Sequence, residues 1–267
     1  MAVNSIGTDY SWLFNTNNNT KKQDSIAQLW SNYNSSQNNA ASSLAGITEI
    51  NNNLKSLLAS YDEAKTTFTA DFNENMNSLS KSAAQVQNYN FNVEQAGAIT
   101  TATSTDENGK TTTTTTYSKE LQAAIKTVED FVGDYNSAVS FFNDNASVSN
   151  RVANMAKIFG DATYRSGDYQ SIGLITQSDG SFKVDEATLA NAIVNNPSRV
   201  SNLLGKDGLA GKAQSHVDFA NSQSDKLFPT ADSMFGDQIQ AASLYTGKAY
   251  RNMSNYANMG NLLNMMF

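Results

Sequence analysis

The sequence has no cysteine, one histidine and two prolines, and charged residues fill only 16% of its 267 positions, against roughly 25% in ordinary globular domains. The lack of cysteine removes disulfides, thiolate zinc sites, iron–sulfur ligation and thiol nucleophiles together, and is compatible with any redox compartment. A lone imidazole, His216, excludes a three-histidine zinc site and any paired-imidazole metal face. No Lys/Arg cluster is longer than Lys21-Lys22, and the net charge is −7. Nucleic acid and anionic membranes need a concentrated basic face, so neither is expected as a partner. No run of about 18 apolar residues is available to cross a bilayer. The first 25 residues also lack the basic, apolar and small-residue zones of a cleavable signal. The chain is therefore expected to stay inside the cell or to leave by a route that does not cleave it.

Neutral polar residues take the place of the missing charge. Asn alone occurs 34 times, while Leu, Ile, Val and Phe together make up about 20%, a level at which a core is marginal. The length is nonetheless ample for a sizeable core.

Residues 1–24 carry a small apolar plug, Trp12-Leu13-Phe14, followed by an Asn/Thr tract, and read as a mobile N-terminal arm. Residues 25–92 read as long helices. Ile26, Leu29, Trp30 and Tyr33 begin helical spacing. A second series, from Leu44 through Leu57, Tyr61, Phe68, Phe72, Met76, Leu79 and Val86, continues without proline. One helix from about 40 to 90 would be roughly 75 Å long. Its narrow stripe, at a period near 3.5, matches a coiled-coil seam.

Residues 93–117 change to a Thr-rich pattern. Ile99 to Thr105 and six consecutive threonines from Thr111 flank Asn108-Gly109, which supplies the positive-φ residues of a tight turn, so the segment reads as a β-hairpin. With almost no apolar face, it reads as a solvated tip or a remnant connection.

Residues 118–160 form the second predicted shaft helix, with Ser118 as N-cap. Leu121, Ile125, Val128, Val132, Tyr135, Val139 and Phe142 follow in alternating steps of four and three, the strongest periodic signal in the chain. Helical spacing resumes at Val152, Met155 and Phe159.

Residues 161–205 read as a small α+β knob. A strand from Ser171 to Thr176 turns at Asp179-Gly180 into a return strand, Ser181 to Val184. Asp185 then caps one short helix, and Pro197 opens another that stops at Gly205. Residues 206–267 return to helix, first from Gly208 to Leu227 and then beyond a break or kink at Pro229, and end in a methionine-rich amphipathic tail that includes Met253, Tyr256 and Leu263. The fold class expected is mainly α: an elongated antiparallel helical bundle or coiled coil with a small α+β knob and a Thr-rich hairpin. The ten residues named above, from Leu121 to Phe142 and in the tail, are the candidate assembly and packing positions. Their stripes are expected to stay half-covered until sister copies or neighbouring subunits lie alongside.

No catalytic, cofactor-binding or metal site is expected. Gly205 to Lys212 superficially resembles a phosphate-binding loop, but its glycine spacing is one residue too long and Ala213 stands where a magnesium-binding hydroxyl belongs. Asp106, Glu107, Asn108 and Asp179 sit in turns, where their backbone hydrogen bonding is expected, and do not supply the alternating ligands of a calcium loop. The carboxylates are too dispersed to nominate an acid and a base.

The run Phe131-Val132-Gly133-Asp134-Tyr135-Asn136 resembles the "F-V-x-x-Y-N" helix of the bacterial flagellar filament cap, also called hook-associated protein 2. Downstream, Ile172-Gly173-Leu174, Asp179-Gly180, Val184-Asp185-Glu186, Leu189, Ala192, Asn196-Pro197, Val200, Leu203-Leu204 and Gly208-Leu209-Ala210 keep the order of that family's C-terminal domain. The Thr-rich hairpin stands where caps often carry large variable β domains. The resemblance implies a non-enzymatic structural protein of the flagellum, exported unfolded through the type III apparatus without a cleaved signal. It further implies a ring-like homo-oligomer at the filament tip that guides flagellin insertion, with flagellin, hook-associated proteins and an export chaperone as partners. Another exported axial component, such as a hook–filament junction protein or an adhesive tip paralogue, would use the same helices. A hydrolase acting on cell wall or polysaccharide is the reading from a third class.

Overall fold

A computed structural model describes residues 44–105, 111–162 and 165–236, with 44–54 described by backbone alone. The arm 1–24, the series Ile26–Tyr33, the turn Asn108-Gly109 and the tail with Met253, Tyr256 and Leu263 lie outside the described residues. The described chain is mainly helical with two small antiparallel sheets. It divides into two units, Thr69–Leu227 and the residues on either side of that span.

Helix α1 (Leu44–Asn88) has no proline to interrupt it. From residue 55 its stripe is buried, from Leu57 and Tyr61 through Phe68, Phe72, Met76, Leu79, Ala83 and Val86. In the unit that holds residues 1–68 and 228–267, Tyr61 ties α1 to the chain after Leu227. Its hydroxyl donates to the Pro229 carbonyl at 2.8 Å, and its ring meets Phe228 and Phe235 edge-on, with centroids 5.7 and 6.2 Å away. Phe68 also lies against Phe228, at 5.3 Å. Residues 231–236 are helical.

The Thr69–Leu227 unit holds both sheets. After α1, the buried Phe91 and Ala98 anchor the chain before strand β1 (Ile99–Thr105) pairs antiparallel with β2 (Thr111–Tyr117). The Ser118 N–H donates to the Ala98 carbonyl at 2.8 Å and closes the base of this ribbon. Ser118 then caps helix α2 (Lys119–Asp144), its hydroxyl accepting the Leu121 N–H at 3.2 Å. Helix α3 (Asn150–Phe159) is capped in the same way by Ser149. That hydroxyl also donates to the Leu227 carbonyl at 2.7 Å.

A short helix α4 (Ser166–Gln170), strands β3 (Leu174–Thr176) and β4 (Phe182–Val184), and helices α5 (Glu186–Asn195), α6 (Pro197–Leu204) and α7 (Leu209–Gln223) complete the unit, followed by a 3₁₀ turn (Ser224–Lys226). Helix α2 packs against α3, α5 and β4, and α7 against α3 and α6.

Two predicted elements are shorter than expected. The strand expected from Ser171 begins at Leu174, because Ser171 belongs to the end of α4. Its hydroxyl donates to the Asp168 carbonyl at 2.6 Å and accepts the Arg199 Nε–H at 3.1 Å, which holds these residues in a turn. The helix expected to reach Leu227 ends at Gln223, where the backbone tightens into 3₁₀ bonding, a common way for a helix to end.

Candidate functional site

The seven positions predicted on α2 lie inside the protein. Leu121, Ile125, Val128, Val132, Tyr135, Val139 and Phe142 are all buried, none more than 4% exposed. This corrects the expectation of a half-covered stripe: the chain covers it with its own residues. Phe142 stacks on Phe159 at 4.7 Å and touches Phe141 and Phe72 at 5.2 and 6.3 Å. Periodicity reveals an apolar stripe but not which chain supplies its cover, and here α1, α3 and α5 come from the same polypeptide. Met253, Tyr256 and Leu263 lie outside the described residues.

The best-defined polar arrangement joins α2 to the small β3–β4 sheet. The Tyr135 hydroxyl donates to the Phe159 carbonyl. Burial pushes the Tyr135 phenol far up from its ordinary value, with the nearby Tyr169 and Asp161 adding to the shift, so it remains a donor throughout the neutral range. One residue on, the Asn136 amide grips Phe182 twice. Its Nδ2 donates to the Phe182 carbonyl and its Oδ1 accepts the Phe182 N–H, both at 2.8 Å.

The sheet register explains the choice of Phe182. The Gln177 N–H donates to Ser181 O, and Asp185 N–H to Gly173 O. Along β3–β4 the odd-numbered residues of β4 therefore bond inward, and the N–H and C=O of Phe182 face away from β3. Asn136 acts as one residue of a third strand and blunts that edge. The arrangement was not legible in sequence, because an Asn on a helix ordinarily reads as solvated surface and this partner is 46 residues away.

The turn that returns β3 to β4 is fixed by Gly180, whose φ is +88°. A Cβ there would lie 2.3 Å from Gly160 Cα, so only glycine fits. Asp179 Oδ1 accepts both the N–H and the hydroxyl of Ser181, at 2.9 and 2.6 Å. These bonds hold the Asp179 carboxyl below its ordinary value. Asp185 caps α5 through the Thr188 N–H and hydroxyl, at 3.1 and 2.9 Å, and is lowered for the same reason.

The loop resembling a phosphate cradle does another job. A Cβ on Gly211 would sit 1.7 Å from the Lys206 carbonyl oxygen, and one on Gly208 2.2 Å from that of Leu203. These glycines serve backbone-to-backbone packing at the start of α7. His216 lies against Phe159 at 5.4 Å, with Nδ1 buried and lacking a hydrogen-bond partner. Burial, then Lys212, lowers its pKa, and Asp161 opposes them.

The described residues of the Thr69–Leu227 unit include two surface grooves of note. One, about 480 Å³, is lined by Lys81 and Ser82 of α1 and by Glu129, Asp130 and Asp134 of α2. Burial, then Glu186 and Asp130, raise the Glu129 carboxyl above its ordinary value. Ser82 is turned onto its own helix, its hydroxyl donating to the Ser78 and Leu79 carbonyls. The other groove, about 400 Å³, is lined by Met155, Ile158 and Phe219, with Arg151 and Lys157 beside them. Phe219 is 47% exposed, unusual for a residue of that size. Among the described residues, no cluster of three or more His, Cys, Asp or Glu side chains could hold a metal ion, and no helix is long and apolar enough to cross a membrane. No family model, curated protein or solved structure matches the chain.

Proposed function

We propose that the chain is a non-enzymatic structural protein of the bacterial flagellum, similar to the filament cap, that assembles with copies of itself at the filament tip and promotes flagellin polymerisation. The observation that carries this reading is the role of the residues shared with the cap-like motif. Tyr135 and Asn136 tie α2 to α3 and β4. Asp179-Gly180 forms the β3–β4 turn, Asp185 caps α5, and Pro197 opens α6. The quoted motifs are thus the joints by which a long helix holds a small α+β knob, a use that fits a scaffold role for them.

In this reading the long helices form an elongated antiparallel bundle, and the cysteine-free, weakly charged chain travels unfolded through the type III export apparatus. Its partners are sister copies in a ring, flagellin, hook-associated proteins and an export chaperone. Because the α2 stripe is internal, contacts between copies fall to other surfaces. The test is deletion of the gene, followed by filament microscopy and an assay for secreted monomeric flagellin. Short or absent filaments with leaked monomer are expected, whereas normal filaments without leakage would overturn the proposal.

A further inference from the structure

Among the described residues, the β1–β2 ribbon differs from β3–β4 in that the edge of β2 is met only at its base, where the Gln122 Nε2–H donates to the Tyr117 carbonyl at 2.9 Å. Every residue of its two strands is exposed except Ile99 and Tyr117, which are half-buried at the base. The Ser118–Ala98 bond sets the phase of the ladder. Even-numbered residues exchange bonds between the strands, so the N–H and C=O groups of Thr111, Thr113, Thr115 and Tyr117 point outward along β2. Native edges are ordinarily blunted by charge, proline or a covering element. Here β2 is six threonines and a tyrosine, in unbroken register with β1. A two-stranded ribbon is also marginal in water, and three or more strands are needed for independent stability.

We propose that the β2 edges of two copies of this chain pair antiparallel about a two-fold axis, merging two ribbons into one four-stranded sheet. The proposal does not depend on the flagellar reading. A second copy is the occupant that complementarity selects. An uncharged strand gives a charged or apolar partner nothing to recognise, whereas two copies meet without like-charge repulsion. They would also extend the Thr–Thr cross-strand pairing already present between β1 and β2, where Thr105 and Thr111 hydroxyls lie 3.4 Å apart. The register that sets Thr114 opposite itself pairs Thr113 with Thr115 through the open groups of both, and brings Thr111 opposite Tyr117, whose carbonyl already accepts the Gln122 Nε2–H, so the bonds that join the copies are centred on Thr113 and Thr115. The interface is isologous and closed.

Sedimentation velocity on the full chain, together with oxidative cross-linking of single-cysteine variants, tests this directly, and the cysteine-free sequence makes the cross-linking unambiguous. In the proposed register, position 114 is a non-hydrogen-bonded pair with Cα atoms about 4.5 Å apart, within disulfide range. The two copies of position 112 are about 14 Å apart along the strands. The wild type is expected at twice the monomer mass or a multiple of it. Thr114→Lys, which sets like charges face to face, is expected to lower that mass twofold, and mixing it with Thr114→Glu to restore it. Thr114→Cys is expected to give a covalent dimer on oxidation, and Thr112→Cys none. Unchanged circular dichroism in Thr114→Lys would confirm that the helices remain folded. A monomeric wild type, an assembly indifferent to Thr114→Lys, or equal cross-linking at 112 and 114 would overturn the proposal.

Discussion

Replacing Asn136 with alanine removes both hydrogen bonds that cover the edge of β4. Each is 2.8 Å long and joins neutral groups, so the two together are worth about 2 kcal/mol net. Because Phe182 is only 3% exposed, water replaces the lost partners poorly, which moves the expected cost to about 2–3 kcal/mol. The loss falls on a sheet of only three paired residues per strand, so it should appear first as local opening. The Phe182 amide is expected to exchange with solvent roughly 30- to 150-fold faster at about 1.4 kcal/mol per tenfold, while the amides of the β1–β2 ribbon are unaffected. Amide hydrogen exchange by NMR measures this directly, with urea unfolding followed by circular dichroism as the global control. Asn136→Asp separates edge covering from helix packing. It keeps an acceptor for the Phe182 N–H but sets a carboxylate oxygen against the Phe182 carbonyl. It should therefore cost at least as much as alanine at pH 7 and recover in acid, where a protonated carboxyl can donate. Unchanged Phe182 exchange in Asn136→Ala, with an unchanged urea midpoint, would refute the assignment of Asn136 as a surrogate strand.

Phe142→Ala, which empties a fully buried site between Phe72, Phe141 and Phe159, is expected to cost about 3–5 kcal/mol. Phe219→Ala, at a residue 47% exposed, should shift the urea midpoint far less, and equal shifts would contradict the core described above. Gly211→Ala would gain about 1 kcal/mol on helix propensity alone, but its Cβ meets the Lys206 carbonyl at 1.7 Å. The sign should reverse, and a stabilised variant in thermal melts would show that the contact yields freely. His216 titrates below its ordinary value near 6.5, so the unfolded chain takes up its proton first. Its neutral form adds no pH slope in alkali, and stability is lost as pH falls through about 6.5 toward the folded value. His216→Gln should flatten that slope in pH-dependent unfolding; an identical slope in the variant would assign it to other groups.

Local chemistry made much of the fold legible. Ser118, Asp185 and Pro197 announce the starts of α2, α5 and α6 through side-chain capping or a preset φ, interactions that span three residues or fewer. The alternating steps from Leu121 to Phe142 mark a buried helix face because burial and periodicity are the same fact seen from two sides. What sequence could not disclose were pairings between distant backbone groups. Gly211 looks like part of a phosphate cradle until the Lys206 carbonyl is placed beside it, and Asn136 looks solvated until the β4 edge arrives. The stripe on α2 was equally silent about its cover, since an apolar ridge has the same spacing whether a sister chain or the same chain fills the groove opposite.

Among the described residues, the Thr-rich ribbon is fastened at its foot, by the buried Ala98 and its bond from Ser118 and by the Gln122 bond to the Tyr117 carbonyl, and the cap of α2 is completed at Ser118 as well. The segment between the two strands is thus an interchangeable cartridge. A longer arm, an epitope or a whole folded insert that replaced residues 106–110 would continue from strand ends that are themselves exposed, and the helical unit beneath would keep its own melting behaviour.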